Sequence, residues 1–239
     1  MPGPGALVLH GFTGTPRSVS GVADALAGAG FAVEAPLLAG HGAAMEDLVA
    51  TGWADWSAGV EQAYRDLAGR CRQVVVFGLS LGGSLACWLA AEHPDIAGIV
   101  CVNPMIEPVA PSFVDMLEQL VASGFSSVPA FGSDIARPDV VEENLGGAPF
   151  VPMMSLFEGV GEMAPRLGQV RCALLLFTSR KDHVVPPSSS DYLAARVAGP
   201  VERVVLERSY HVATLDWDAP EIEARTVAFA RQVTAAPAV

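Results

Sequence analysis

Short apolar runs rich in β-branched residues recur along the chain, bounded by glycine, proline or charged residues, and most are followed by a stretch with helical spacing. The runs at 6–10, 32–35, 73–77, 98–102, 173–178 and 201–206 read as strands. In most of them apolar residues succeed one another without polar alternation, the pattern of strands covered on both faces. The stretches 19–29, 53–70, 81–92, 188–197 and 220–233 read as helices. Thr51 or Gly52 stands where the second would be capped, and Pro220 suits the first turn of the last. This alternation predicts an α/β fold with a mainly parallel sheet of about six strands, flanked by helices.

The rhythm breaks between Pro104 and Pro165. Residues 112–122 have helical spacing, a Pro/Gly-punctuated region follows, and then the apolar run Pro152-Met153-Met154-Ser155-Leu156-Phe157. A crossover between neighbouring strands needs far less chain, so 105–165 reads as a small helical cap inserted before the penultimate strand. The core then falls into two parts, 1–104 and 166–239. Phe113, Met116, Met153, Met154 and Phe157 of the insertion are candidates for a substrate pocket, or for the insertion's own small core.

Candidate chemistry begins at Val74-Val75-Val76-Phe77-Gly78-Leu79-Ser80-Leu81-Gly82-Gly83. An apolar strand ends at a glycine, a serine follows two residues later, and a helix-compatible stretch starts at once. This Gly-x-Ser-x-Gly predicts a turn too tight for larger residues at Gly78 and Gly82, with Ser80 strained and exposed at its tip. A serine hydroxyl needs an adjacent base, usually a histidine oriented by a carboxylate. Of five histidines, only His211 sits on a loop after the last strand, in Ser209-Tyr210-His211-Val212. Asp182 occupies the loop after the preceding strand, in Ser179-Arg180-Lys181-Asp182-His183-Val184-Val185-Pro186. The order Ser80, Asp182, His211 is that of a hydrolase triad built on this architecture. Asp216 and Asp218 lie just beyond His211 and are expected to cap the final helix.

Acyl chemistry also needs two N–H donors aimed at the developing oxyanion. Leu81, the residue after the nucleophile, offers one. The loop His10-Gly11-Phe12-Thr13-Gly14 offers the other, with Phe12 the expected donor and Thr13 facing substrate. His10 is expected to fix this loop by hydrogen bonding.

These stretches, with Leu9-His10-Gly11-Phe12-Thr13-Gly14-Thr15-Pro16 and Ser209-Tyr210-His211-Val212-Ala213-Thr214-Leu215-Asp216, resemble the α/β-hydrolase superfamily, in particular its small bacterial carboxylesterase and monoacylglycerol lipase branch. The resemblance implies Ser80 as nucleophile, His211 as base, Asp182 as its orienter, the Phe12 and Leu81 amides as oxyanion hole, a small helical cap, and no cofactor or metal. It departs in two places. The antiparallel strands that often precede the first parallel strand are mostly missing, and Ala39 stands where many relatives carry arginine before Gly-His-Gly. The implied reaction is cleavage of short- or medium-chain acyl esters or monoglycerides through an acyl-enzyme. Thioesterase, amidase, carbon–carbon hydrolase and acyltransferase chemistry use the same triad, and a small-molecule receptor on this fold is a further alternative.

Composition narrows the partners. Of 239 residues 51% are hydrophobic and 17% charged, which excludes disorder over most of the length. A net charge of −12 argues against nucleic acid and anionic membrane as partners, and no apolar run reaches the roughly 18 residues of a membrane span. Cys71, Cys87, Cys101 and Cys172 form no CxxC and read as buried free thiols. With no basic, apolar leader at the start, a cytoplasmic protein acting on a small apolar acyl ester is expected.

Overall fold

A computed structural model describes residues 3–42, 44–129 and 133–235. Along the chain the strands are β1 (Gly5–Leu9), β2 (Ala32–Glu34), β3 (Val74–Leu79), β4 (Gly98–Val102), β5 (Ser127–Pro129), β6 (Gly147–Pro149), β7 (Ala173–Ser179) and β8 (Val201–Leu206). The α-helices are α1 (Ser20–Gly28), α2 (Met45–Val49), α3 (Trp53–Ala68), α4 (Leu81–Glu92), α5 (Pro111–Ala122), α6 (Phe150–Met163), α7 (Ser188–Ala194) and α8 (Ala219–Val233). Six strands form one sheet in the order β2-β1-β3-β4-β7-β8, and every pairing in it is parallel. This is the α/β-hydrolase fold.

Side chains alternate between the two faces of each central strand, and that period of two divides the core. Leu7, Leu9, Val76, Ile99, Cys101, Leu174 and Leu176 join Trp56, Val60 and Leu67 of α3, Leu85 and Leu89 of α4, and Val160 of α6. Ala6, Val8, Val75, Phe77, Val100, Val102, Leu175 and Phe177 face Val22 and Leu26 of α1 and Ile222 and Phe229 of α8. With helices on both faces, the central strands carry no polar face, which is why their sequences read as continuous apolar runs. Burying one such leucine or phenylalanine is worth about 1.5–3 kcal/mol, so these two layers hold the sheet rigid beneath its loops. Edge strand β8 departs from that pattern: Val204 and Leu206 are buried, while Glu202, Arg203 and Val205 face out.

Parallel pairing brings the C-terminal ends of the strands to one edge. Leu9 stands beside Gly78 and Gly78 beside Cys101, so the loops after β1, β3 and β4 emerge together. The chain runs outward from β1 to β2 and then crosses to β3 on the other side. The β1/β3 crevice is therefore the point of topological reversal where open α/β sheets bind ligands.

The segment between β4 and β7 holds α5, the antiparallel β5–β6 pair and α6. The pair, the short α2 and the full length of α6 lie outside the sequence expectation, which marked only 152–157 within α6. The other helices end within a few residues of their expected limits. Cys87 and Cys101 are buried, but Cys71 and Cys172 are only partly so, and all four are free thiols. Among the described residues no helix is long and apolar enough to cross a membrane.

Candidate active site

Ser80 sits between β3 and α4 with φ 52° and ψ −115°, a region that costs a residue with a Cβ of order 1–3 kcal/mol. The turn is over-determined by close approaches. A Cβ at Gly78 would overlap the Gly82–Gly83 backbone, and one at Gly82 would overlap the Leu9 carbonyl. Ser80 N–H donates to the Val102 carbonyl at 3.0 Å, and the Ser80 carbonyl accepts from Gly83 and Ser84 N–H. Leu81 opens α4, so its N–H has no intrahelical partner. Across the crevice, Thr13 with φ 64° turns the loop after β1, and Gly14 N–H closes that turn onto the Gly11 carbonyl. Neither the Phe12 nor the Leu81 N–H carries a hydrogen bond among the described residues.

The second half of the site comes from the loops after β7 and β8. His211 Nδ1 lies 2.8 Å from Asp182 Oδ2, and both side chains are nearly enclosed. Asp182 Oδ1 accepts the Val184 and Val185 N–H groups, each at 2.8 Å, which fixes the carboxylate as acceptor toward the ring. With Nδ1 committed to Asp182, Nε2 is the nitrogen left for a proton from a substrate or a serine.

One cavity of about 350 Å³ collects these groups. Ser80, His211, Phe12 and Thr13 line it from the sheet edge, and Met105, Phe113, Met153, Leu156, Phe157 and Val184 give it apolar walls. Phe113 and Phe157 stand 5.9 Å apart between ring centroids. Asp182 lies behind His211, and neither it nor the Leu81 side chain is part of the lining. Two expected pocket residues lie elsewhere. Met116 is on an exposed side of α5, and half-buried Met154 of α6 is not part of the lining, since successive helical positions fall 100° apart and only one face can line it.

Polar residues that sequence reasoning passed over complete the lining: Ser133, Asp134, Glu142 and Asn144. Burial pushes the Glu142 carboxyl above the usual carboxylate range. Asn103, with φ 46° at the end of β4, donates to the His211 carbonyl at 2.8 Å and to Ser179 Oγ at 3.0 Å, and accepts from Ser179 N–H at 2.7 Å. An asparagine directly after an apolar strand, where the turn needs a left-handed residue, was the available signal.

Asp216 and Asp218 do more than precede the last helix. Asp218 occupies the N-cap position of α8 without a side-chain capping bond; its carboxylate binds Arg208 N–H, Ser209 N–H and Ser209 Oγ. Asp216 accepts Tyr210 N–H at 2.9 Å and, from the insertion, Ala136 N–H at 2.7 Å and Arg137 N–H at 3.1 Å. Both carboxylates thus brace the loop that carries His211 instead of capping the helix. Beneath the loop after β1, His10 is fully buried; Nδ1–H donates to the Gly11 carbonyl at 2.9 Å and Nε2 accepts Leu38 N–H at 3.1 Å. His41 packs edge-to-face against it, and His41, Phe12 and Trp56 pack edge-to-face with one another.

Comparison with known proteins adds an independent line. The family model described as serine aminopeptidase, S33, matches residues 5–218. The chain is 39% identical over 233 residues to a thermostable monoacylglycerol lipase of Bacillus sp. (strain H-257), covering 94% of this chain and 89% of that protein. It is 29% identical over 215 residues to a carboxylesterase of Bacillus subtilis (strain 168), covering 88% and 85%. A solved structure from work on the metagenome-derived lipolytic enzymes LipS and LipT superposes with a TM-score of 0.91 at 35% identity, covering 97% of this chain and 95% of that one.

Proposed function

The chain belongs to the serine aminopeptidase S33 family of α/β-hydrolases and is an ester-cleaving serine hydrolase; from that premise we propose that Ser80, His211 and Asp182 cleave a monoacylglycerol or a similar acyl ester of a small polar alcohol. The observation that carries the residue assignment is the enclosed 2.8 Å pair of His211 Nδ1 and Asp182 Oδ2, set in the cavity onto which strained Ser80 opens. Ser80 Oγ adds to the ester carbonyl carbon while His211 Nε2 takes its proton. Asp182 holds the ring in the required tautomer and stabilises the imidazolium. The Phe12 and Leu81 N–H groups receive the oxyanion, donors that need no reorganisation as charge develops. Collapse of the tetrahedral adduct breaks the bond to the alkoxy oxygen, which leaves with the proton from His211. Water then adds to the acyl-enzyme by the same route, returning the acid and free Ser80.

The cavity lining divides by chemistry in a way that fits such a substrate. Met105, Phe113, Met153 and Phe157 suit an acyl chain, and methionines adapt to several lengths. Ser133, Glu142 and Asn144 suit the hydroxyls of the alcohol. The residues 105–165 serve as a cap in this reading, since they supply most of both walls. An aminopeptidase site would have to neutralise a substrate ammonium. Here Glu142 is biased toward its neutral form by burial, and Asp134 is already occupied by three nitrogen partners. Four free thiols support a reducing, cytoplasmic setting.

Turnover of monoacylglycerols and of p-nitrophenyl esters of graded chain length tests the proposal. Ser80→Ala should lower kcat by about 10⁴-fold or more while the circular dichroism spectrum is unchanged. Residual turnover within tenfold of the parent would overturn the nucleophile assignment. Faster cleavage of an amino-acid amide than of any ester would overturn the substrate class.

A further inference from the structure

A single carboxylate of the insertion holds both loops that supply the acid and the base. Asp134, between β5 and β6, accepts His211 N–H through Oδ2 at 3.1 Å. The same oxygen accepts His183 N–H at 3.1 Å, in the residue that follows Asp182. Oδ1 lies 2.7 Å from His183 Nδ1, and the Asp134 backbone carbonyl accepts Val212 N–H at 3.1 Å. The Asp134 side chain is only 14% exposed; its bond to His211 N–H is partly buried, while those to His183 lie toward solvent. Hydrogen bonds to an ionised acceptor are about twice as strong as neutral ones, and this acceptor meets three donors from two loops.

The geometry points to Asp134 as a positioning residue: by binding the backbone N–H of His211 and of His183 at once, it sets the spacing of the His211–Asp182 pair and makes that spacing depend on the seating of the insertion. The inference rests on the triad assignment above. Two features give it physical force. The two N–H groups belong to the base itself and to the neighbour of the acid, so a shift of either loop moves the backbone that carries the His211–Asp182 pair. The segment is also seated from the other side, where Asp216 binds Ala136 and Arg137 N–H, so Asp134 is held on a short stretch with little freedom of its own. An insertion seated in this way both lines the pocket and holds the backbone of the His211–Asp182 pair.

Asn and Leu separate the roles of shape, charge and hydrogen bonding at this position, since both approximate the aspartate in size. Asp134→Leu leaves two N–H groups without an acceptor; Asp134→Asn keeps an amide oxygen where Oδ2 stands and turns its NH₂ toward His183 Nδ1, which accepts once the ring carries its proton on Nε2. Each variant is titrated with a fluorophosphonate to count reactive Ser80, and kcat and KM are expressed per reactive serine, which removes any unfolded fraction. Asp134→Leu is expected to lower kcat by about 10- to 100-fold, the scale of a sub-ångström to ångström misplacement, with KM within about threefold. Asp134→Asn is expected to recover kcat to within about threefold of the parent, since the backbone bonds that fix geometry persist. A kcat for Asp134→Leu within twofold of the parent, a loss confined to KM, or equal losses in both variants would overturn the clamp. Ser80→Ala run alongside keeps the two readings distinct. If it remains active, the triad falls and the clamp with it; if it is dead while Asp134→Leu is unimpaired, only the clamp falls.

Discussion

Buried His10 gives this fold a defined acid weakness. The ring is entirely shielded from solvent, with His41 5.1 Å away between centroids, and burial first and the His41 charge second hold its pKa down at about 3. Its hydrogen bonds demand the neutral form: Nε2 accepts Leu38 N–H, and a proton there would set two donors against each other. Above pH 6.5 the ring is neutral in folded and unfolded chains alike, and its contribution is complete. As pH falls through 6.5 the unfolded chain takes up a proton that the fold refuses, and stability is lost until about pH 3, where the folded ring titrates as well. By pH 5 the loss from this one residue is about 2 kcal/mol relative to pH 8, close to 1.4 kcal/mol per pH unit once below 6.5. His10→Gln removes the titrating group and keeps an acceptor toward Leu38. At pH 8 it should cost about 1–3 kcal/mol, mostly from the Gly11 carbonyl left without its donor. Urea unfolding followed by tryptophan fluorescence at pH 8, 7, 6 and 5 reads the difference directly. The gap between parent and variant should close by about 2 kcal/mol between pH 8 and pH 5. His41, whose pKa burial also lowers, is present in both proteins, and only its charge coupling to His10 differs between them. Parallel stability curves for parent and variant would refute the argument.

Glu142→Gln tests the opposite sign. Burial raises the folded carboxyl, so the fold holds its proton more tightly than the unfolded chain, and parent stability falls as pH rises past 4.5 through the folded pKa. The variant should therefore gain on the parent between pH 4 and pH 8 in chemical denaturation; a constant difference would show that the carboxyl is solvated. Phe157→Ala removes one of two facing rings from the apolar wall, and the preferred p-nitrophenyl acyl chain should lengthen, at a stability cost of about 1–3 kcal/mol because the ring is partly exposed. An unchanged chain-length profile would remove Phe157 from the acyl site.

The central sheet and the positions of Ser80, Asp182 and His211 were legible because their signals are local. Gly78 and Gly82 mark a tight turn within five residues, and a carboxylate or histidine on a loop directly after an apolar strand needs no distant partner to be noticed. Asp134 gave no such signal. Its partners lie 49 and 77 residues away, and its flanking sequence is that of any polar loop. Asp216 and Asp218 were visible but misread, because a carboxylate just ahead of a helix resembles a cap until the loop it binds is in place. Met116 shows the same limit in an apolar residue. Helical spacing places it on a hydrophobic side of α5, yet which side meets the cavity depends on how α5 rests against α6, and Met116 is left 44% exposed.

These misreadings share a physical cause that bears on how the site works. Ser80 is held from within its own turn, by strain and by glycines that let backbones touch. Asp182 takes Val184 and Val185 N–H from its own loop; the His211 loop is ordered by Asp216 and Asp218 of its own β8–α8 connection and by Asn103 and Asp134 from elsewhere in the chain. Three of these hold backbone groups of the His211 loop through a buried or nearly buried carboxylate, and Asn103 donates to its carbonyl. Replacing an anchoring carboxylate by an apolar residue strands buried N–H groups, at about 1–3 kcal/mol each, which is comparable to the strain stored at Ser80. The proposed nucleophile is thus set by local sequence, while the proposed proton-transfer pair also depends on long-range contacts from Asn103 and from Asp134 of the segment that lines the cavity. Substitutions in the insertion should accordingly act on kcat as well as on substrate choice, and those near Asp134 should act most strongly on the pair.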